Sequence, residues 1–328
     1  MSLISLIATD PLSPAKPLLG KLHQFRASQA HDADEHAHNL TNWEQSYDQI
    51  TPGSFRGSLV ELRLPDMQVF RERISHAVRQ SCCVLPEAFW FGLADQTADT
   101  RINGRVAGVN QIMVRPGHCE FELLTPADHM IYGIVIQRDA LVAAADSLGC
   151  QIDWAQLSGA EMRRVDPLAR AACLQTLRCL LAQAAGSHQA GQQAVTEALL
   201  TLLDSSQVDA GVSKSFERRQ RIVARARDHV LAHPDESVTV PQLCQRLFVS
   251  RRTLQYCFED VLNISPMQYL RLIRLNGARR SLLQRSSDPV SVRDVAAQWG
   301  FWHFSQFSSD YRKLFGHCPS QALSQRVH

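Results

Sequence analysis

Thr239-Val240-Pro241-Gln242-Leu243 and, a few residues on, Ser250-Arg251-Arg252-Thr253-Leu254-Gln255-Tyr256-Cys257-Phe258 decide how the last third of this chain folds. Thr239 to Gln242 has the form of a capping box, in which side chains satisfy the free backbone N–H groups of a helix start. Proline sits in the first turn, where its missing N–H does no harm. Ser250 caps the next helix, whose Leu254 and Phe258 lie four apart on one face. The pattern returns at Ser291-Val292-Arg293-Asp294, with Val295 in the place of Leu243, Gly300 as the stop, and Phe307 and Tyr311 again four apart. The apolar anchors are spaced 11 and 4 residues in the first unit (Leu243, Leu254, Phe258) and 12 and 4 in the second (Val295, Phe307, Tyr311). One such pair of short helices is a weak signal, but its repetition within one module is a strong sign of two helix-turn-helix units.

Between the units, Ser265-Pro266 starts a helix that runs through Leu270, Ile273, Ala278 and Leu282 to about Gln284. At ~1.5 Å per residue this helix is about 28 Å long. With the offset of each flanking helix, the two recognition helices come near the ~34 Å repeat of successive major grooves on one side of DNA. Charge agrees. From Lys214 onward there are 18 Lys+Arg against 9 Asp+Glu, a net of +9, whereas the preceding residues hold 16 against 23, a net of −7. A basic module joined to an acidic one suggests a polyanion-binding part and a part with another task.

The 328 residues, 45% apolar and 20% charged, suffice for two packed domains. Val60, Leu62 and Leu64 alternate with Glu61 and Arg63, and short apolar runs follow at Cys82 to Leu85, Phe89 to Phe91, Ile112 to Val114 and Ile131 to Ile136, separated by turn residues. The predicted class is α+β: a β-rich, cupin-like barrel or sandwich, then an all-α domain of two helix-turn-helix units joined by a linker helix. The expected boundaries are a loose tail over 1–30, a β-rich effector-sensing domain over 31–138, a helical segment over 139–204, a linker over 205–214 and the DNA-binding module over 215–328. Helical spacing at 167–185 and 192–203 fits an antiparallel pair that either dimerises the protein or covers the barrel. Met1 to Ala8 lacks a cationic start and is too short to span a bilayer, so a loose tail rather than a signal peptide is expected. The nine cysteines show no C-x-x-C pair and read as reduced thiols of a cytoplasmic protein.

The last hundred residues resemble the AraC/XylS family of transcription regulators. The resemblance is carried by Val249 to Leu254 with Phe258, Ser265-Pro266, Ile273-Arg274-Leu275 with Ala278 and Leu282, Gly300-Phe301, Ser305, Phe307, Tyr311, Phe315-Gly316 and Pro319-Ser320. Trp302-His303-Phe304 departs from the small or polar residues usual there. Trp43, Tyr47 to Ile50, Pro52 to Phe55, Val69 to Glu72, Arg79 to Ser81, Phe89 to Gly92, Arg115 to Gly117, Glu120 to Leu123 and Trp299 to His303 are similar to the branch of that family controlling ethanolamine-utilisation operons. The resemblance implies an activator that binds promoter DNA, works with RNA polymerase and answers to ethanolamine, with adenosylcobalamin as co-effector and no catalytic cofactor.

For base edges the candidates are Arg252, Gln255 and Tyr256 on the first recognition helix and His303, Phe304, Gln306 and Ser309 on the second. Arg pairs two-pronged with guanine and Gln with adenine. Phe304 either meets a thymine methyl or belongs to the core. For phosphates the candidates are Arg251, Arg271, Arg274, Arg279, Arg280, Arg312 and Lys313. An ammonium-bearing effector wants a carboxylate beside an aromatic face, and Trp43, Glu61, Trp90, Glu120 and Glu122 are the available types. His31, His36 and His38 lack metal-ligand spacing and read as a solvated segment. Cys82-Cys83 raises the alternative of a DNA-associated enzyme such as an alkyl-acceptor repair protein, but no Lys or His near in sequence lowers a thiol pKa there. No nucleotide-binding or hydrolase motif occurs, no catalytic residue or metal site is expected, and a ligand-blind repressor is the remaining alternative.

Overall fold

The apolar runs of the N-terminal part are strands with both faces covered, which is why they read as continuous rather than alternating. The computed structural model describes residues 24–95, 99–182, 188–208, 211–236, 238–284 and 291–325. The first domain carries β1 (Gln24–Ala30), α1 (Ala33–Ala37), β2 (Glu44–Gln49), β3 (Gly57–Arg63), β4 (Met67–Ile74), β5 (Val78–Cys83) and β6 (Ala88–Ala94). It continues with β7 (Arg101–Ile102), β8 (Arg105–Val106), β9 (Gln111–Pro116), β10 (Glu120–Thr125) and β11 (His129–Gln137). Then come α2 (Arg138–Leu148), α3 (Trp154–Gly159), β12 (Met162–Arg164), α4 (Pro167–Ala182), α5 (His188–Asp204) and β13 (Gln207–Val208).

These strands form two sheets, β1-β3-β4-β11-β6-β9-β12-β13 and β2-β5-β10-β7-β8, with no closed barrel among the described residues. Phe89, Phe91, Leu93, Tyr132, Ile134 and Ile136 of the large sheet face the helices, packing with Leu174, Leu177, Leu181, Val195 and Leu199. The alternate residues Trp90, Ile131 and Val135 face the small sheet, with Phe121 and Leu123. The α4 and α5 pair therefore covers the large sheet. Three expected boundaries shift. Gln24–Ala30 pairs with β3 instead of trailing loose, while residues 1–23 of the expected tail lie outside the described residues. β12 inside the expected helical segment pairs with β9, and β13 inside the expected linker pairs with β12.

The second domain is helical: α6 (Lys214–Ala232), α7 (Val240–Leu247), α8 (Arg251–Leu262), α9 (Pro266–Leu283), α10 (Val292–Gln298), α11 (Phe304–Phe315) and α12 (Pro319–Gln325). Leu243, Leu254 and Phe258 share one core with Val223, Val230 and Ile273, and Val295, Phe307 and Tyr311 share another with Leu275, Ala278 and Leu282. The linker helix α9 thus contributes to both cores. At Gly277 it lies against the indole of Trp299, whose Cη2 would stand 2.1 Å from an added Cβ.

Candidate nucleic-acid interface

The first helix of each unit and the recognition helix α8 are started by the chemistry their sequence advertises, whereas the recognition helix α11 starts after His303 with no side-chain cap. Gln242 Oε1 accepts from the Thr239 N–H at 2.8 Å, and Ser250 Oγ accepts from the Thr253 N–H at 3.1 Å. In the second unit Ser291 Oγ accepts from Asp294 N–H at 3.1 Å while Asp294 returns a bond to Ser291 N–H at 3.2 Å. Hydrogen bonds from Ser291 hold the Asp294 carboxyl below its ordinary range. The turn after α7 passes through Phe248 at φ 54°, and Gly300 takes φ 74° in the second unit, where a left-handed residue suits glycine.

The first turns of α8 and α11 are in solvent. Arg251 and Arg252 are exposed, Gln255 is half-buried with its amide on Glu259 Oε1 at 2.6 Å, and Tyr256 is exposed with the Arg219 guanidinium 5.4 Å from its ring centre. His303, Phe304, Gln306, Ser309, Arg312 and Lys313 are all exposed, and Gln306 donates to Asp310 Oδ1 at 3.0 Å. Phe304 is 45% exposed and only grazes Phe307, so it is not a core residue. Arg271 is exposed and paired with Asp310, while half-buried Arg274 donates to the Glu236 carbonyl at 2.5 Å.

Arg279 and Arg280 are elsewhere. Arg279 is 5% exposed, paired with Asp32, bonded to Tyr311 Oη at 3.1 Å and His317 Nε2 at 2.7 Å, and lies over the Phe315 ring. Arg280 bonds Asp48 Oδ1 at 2.8 Å. Both were expected on phosphate. They sit instead on the face of α9 opposite Arg271 and Arg274, turned by the 100° step of a helix into the contact with the first domain.

Residues 243–325 match the family model described as a helix-turn-helix domain. The chain is 37% identical over 102 residues to the probable thc operon regulatory protein of Rhodococcus erythropolis, covering 31% of each chain. It is 38% identical over 95 residues to the transcriptional regulator ArgR of Pseudomonas aeruginosa, covering 29% of this chain and 28% of that protein. With the XylDLEGF operon transcriptional activator 2 of Pseudomonas putida the identity is 30% over 126 residues, covering 38% of this chain and 78% of the activator. The chain belongs to the AraC/XylS family of transcription regulators. The match spans less than a third of the first two relatives' own lengths. A solved probable AraC family regulator from Rhodopseudomonas palustris is 26% identical, covering 32% of this chain and 97% of that one with a TM-score of 0.30.

This AraC/XylS chain has its two recognition helices gripped from behind by the first domain. The last carbonyls of a helix have no partner within it. Near the end of α8, Asp260 O accepts from Arg101 Nη1 at 2.8 Å. Near the end of α11, Leu314 O accepts from Gln49 Nε2 at 2.8 Å and Gly53 N–H at 3.0 Å. Asn276 of α9 exchanges two bonds with the Gln49 backbone, at 2.8 Å and 3.0 Å. Arg227 of α6 reaches Glu122 Oε2 at 3.1 Å. None of these ties was legible in sequence, since each joins residues far apart in the chain.

The expected effector residues of the regulator divide. Trp43, Glu61 and Trp90 do meet between the sheets: Glu61, fully buried, accepts from Gln68 at 2.6 Å and Thr41 at 2.8 Å, and Gln68 accepts from the Trp43 indole at 3.0 Å. Trp90 stacks on Phe121 and meets Trp43 edge-on. Glu122 turns away to Arg79 and Arg227 at the domain contact, and Glu120 is exposed. A second buried cluster was missed. Glu72 accepts from Tyr47 Oη at 2.8 Å, Gln80 approaches at 3.4 Å, and His36 Nε2 lies 3.1 Å from its Oε1, off the line of an aligned hydrogen bond. Burial works against the Glu72 carboxylate, but His36 and Tyr47 prevail and hold its pKa below the usual range. His36 is thus 2% exposed rather than solvated, because Ala33 and Ala37 of α1 bury the same side. Cys82 is 4% exposed, and burial pushes its thiol well above the ordinary value, which does not suit an alkyl acceptor. The relatives above are named as regulators, not enzymes.

Proposed function

We propose that this protein is an effector-responsive transcription activator that reads two neighbouring major grooves of promoter DNA with the first turns of α8 and α11. The observation that carries the proposal is the grip on the two recognition helices. Their C-terminal ends are bonded to the first domain through Arg101, Gln49 and Gly53, while the residues of their first turns are exposed. A ligand that shifts the first domain shifts both reading heads, so only an effector with different affinity for the two arrangements changes DNA binding.

Glu61 and Glu72, buried beside Trp43, Trp90 and Tyr47, are the groups for a small amine, which gains from a carboxylate and an aromatic face together. Ethanolamine is the candidate. A corrinoid is far larger than the described clefts of about 600 and 710 Å³. Adenosylcobalamin as co-effector therefore rests on the sequence resemblance. The proposal includes RNA polymerase as partner, action in the cytoplasm and a homodimer, formed through a surface other than the faces of α4 and α5 that cover the large sheet. No described helix is long and apolar enough to cross a membrane.

The test is binding of the full chain to its own upstream promoter fragment against a scrambled duplex, at rising salt, with and without ethanolamine and adenosylcobalamin. Preference for the promoter, a steep fall with salt and a raised melting temperature with ethanolamine are expected. Equal binding to both duplexes overturns DNA reading, and an unmoved melting temperature overturns the effector.

A further inference from the structure

The face of α9 that carries Met267, Leu270, Arg271 and Arg274 lines a cleft of about 710 Å³, closed on the far side by Phe301, Trp302 and Phe307 and the first turn of α11. Its walls are mainly apolar, with Ser265, Gln268, His303 and Gln306 among them, and its only charged lining residues are the two arginines. Arg271 has a counter-ion in Asp310, outside the cleft. Arg274 has no carboxylate partner among the described residues, and its buried Nε has no hydrogen-bond partner there. Burial alone pulls this guanidinium below its ordinary pKa. A desolvated cation with an idle donor is an expensive thing to leave beside an apolar concavity. Trp302, 69% exposed at the mouth, is an equally unusual residue to leave in water.

We propose that this cleft in the DNA-binding module is a ligand site for a small carboxylic acid with an apolar body, its carboxylate on Arg274 and its body between Leu270, Phe301 and Trp302. An acid is preferred over an amine because no carboxylate lines the cleft. Duplex DNA fits less well: its phosphates can meet Arg271 at the rim, but its thymine methyls and sugar faces are too small and too spread out to fill a concavity of about 710 Å³. His303 and Gln306 line the same space, so an acid held there touches the first turn of the second recognition helix. The site is separate from the amine reading of the first domain and stands or falls without it.

The experiment is calorimetric titration of the full chain with acetate, isovalerate, phenylacetate and octanoate, and with phenylacetamide as the neutral match of phenylacetate. The acids with an apolar body bind, whereas acetate and the amide are weaker by about tenfold or more, the worth of a charged hydrogen bond or of the lost apolar contact. Arg274→Gln and Trp302→Glu each weaken the acids by a similar factor, and Arg274→Lys restores part of the loss. Because Trp302 is exposed, its variant decides the matter should Arg274→Gln fold poorly. The proposal is overturned if no acid binds at millimolar concentration, if phenylacetamide binds as well as phenylacetate, or if binding survives both substitutions.

Discussion

α8 and α11 occupy equivalent places in their units and differ at both ends. The first turn of α8 offers Arg251 and Arg252 to solvent, whereas that of α11 offers Phe304 next to Trp302 and His303. Behind α8 the hold on the helix itself is one half-buried guanidinium, Arg101, joined on α6 by the part-buried ties of Arg227 to Glu122 and Gln220 to the Asn103 carbonyl. Behind α11 it is a buried set: Gln49 on Leu314, the Gln49 and Asn276 exchange, and Arg279 enclosed by Asp32, Tyr311 and His317. Polar reach goes with a light hold and apolar presentation with a heavy one. The difference teaches that polar presentation and anchoring are divided between the two units, with the first offering more charge to solvent and the second the more fixed.

The largest expected effect tests the heavy hold. Asp32→Ala leaves Arg279 buried without its counter-charge, and unfolding by urea should show a loss of about 3–5 kcal/mol. Arg101→Ala removes a single charged bond to a helix end and should lose about 1.5–3 kcal/mol in the same assay. If the two losses are equal, the contrast between the holds is wrong. On the DNA side, Arg252→Ala should lose about 1–3 kcal/mol on the promoter site and little on scrambled duplex. Phe304→Ala should change promoter affinity by less than about 1 kcal/mol, the worth of an apolar methyl contact. Its melting temperature should barely move, unlike a core truncation. A larger loss for Phe304→Ala than for Arg252→Ala reverses the assignment of the reading unit.

The smallest effect is a pH dependence at the anchor. Arg279 donates to His317 Nε2, which therefore carries no proton, and the ring's other nitrogen lies 3.2 Å from the Cys318 carbonyl. Burial first, and then the Arg279 charge, hold the His317 pKa below its ordinary value. A histidine disfavoured as a cation in the folded chain contributes stability that is intact above its unfolded pKa of about 6.5 and fades as pH falls below it. Urea midpoints at pH 7.5 and 5.5 should therefore differ less in His317→Gln than in the parent. His129 and His229, also held low by burial, leave part of the dependence in place.

The helix-turn-helix repeat was open to reading because its signals are local. Caps at Thr239, Ser250, Ser265 and Ser291 and anchors four apart state their structure within a single turn. The paired sheets were legible for the same reason, from runs such as Phe89 to Phe91 that need cover on two sides. The roles of single charged residues were not. Arg279 and Arg271 look alike on a basic helix, and what separates them is Asp32, far off in sequence on another domain. Glu122 was sought as an effector contact and is an interdomain tie, because a strand's alternation gives a face without telling which neighbour meets it. His36 sits between the exposed His31 and His38, and only the packing of α1 on β2 and β3 shows that it points inward.

Gly277 gives the linker helix the character of a ruler. Its hydrogen lets the Trp299 indole lie flush, where a Cβ would stand 2.1 Å from Cη2. Restoring ordinary contact would move the second unit by about 1.5 Å, against ~3.4 Å for one base-pair step. A single methyl is therefore worth nearly half a base pair of operator spacing, written into the protein at a place that touches no DNA. A Gly277→Ala chain offered a pool of operators with randomised spacers should keep the same half-site sequences but lose the parent's sharp preference for one spacer, since spacers change only in whole base pairs and none restores the fit. The linker helix can thus set how strictly the spacing of the two units is held without any change at the exposed first turns of α8 and α11.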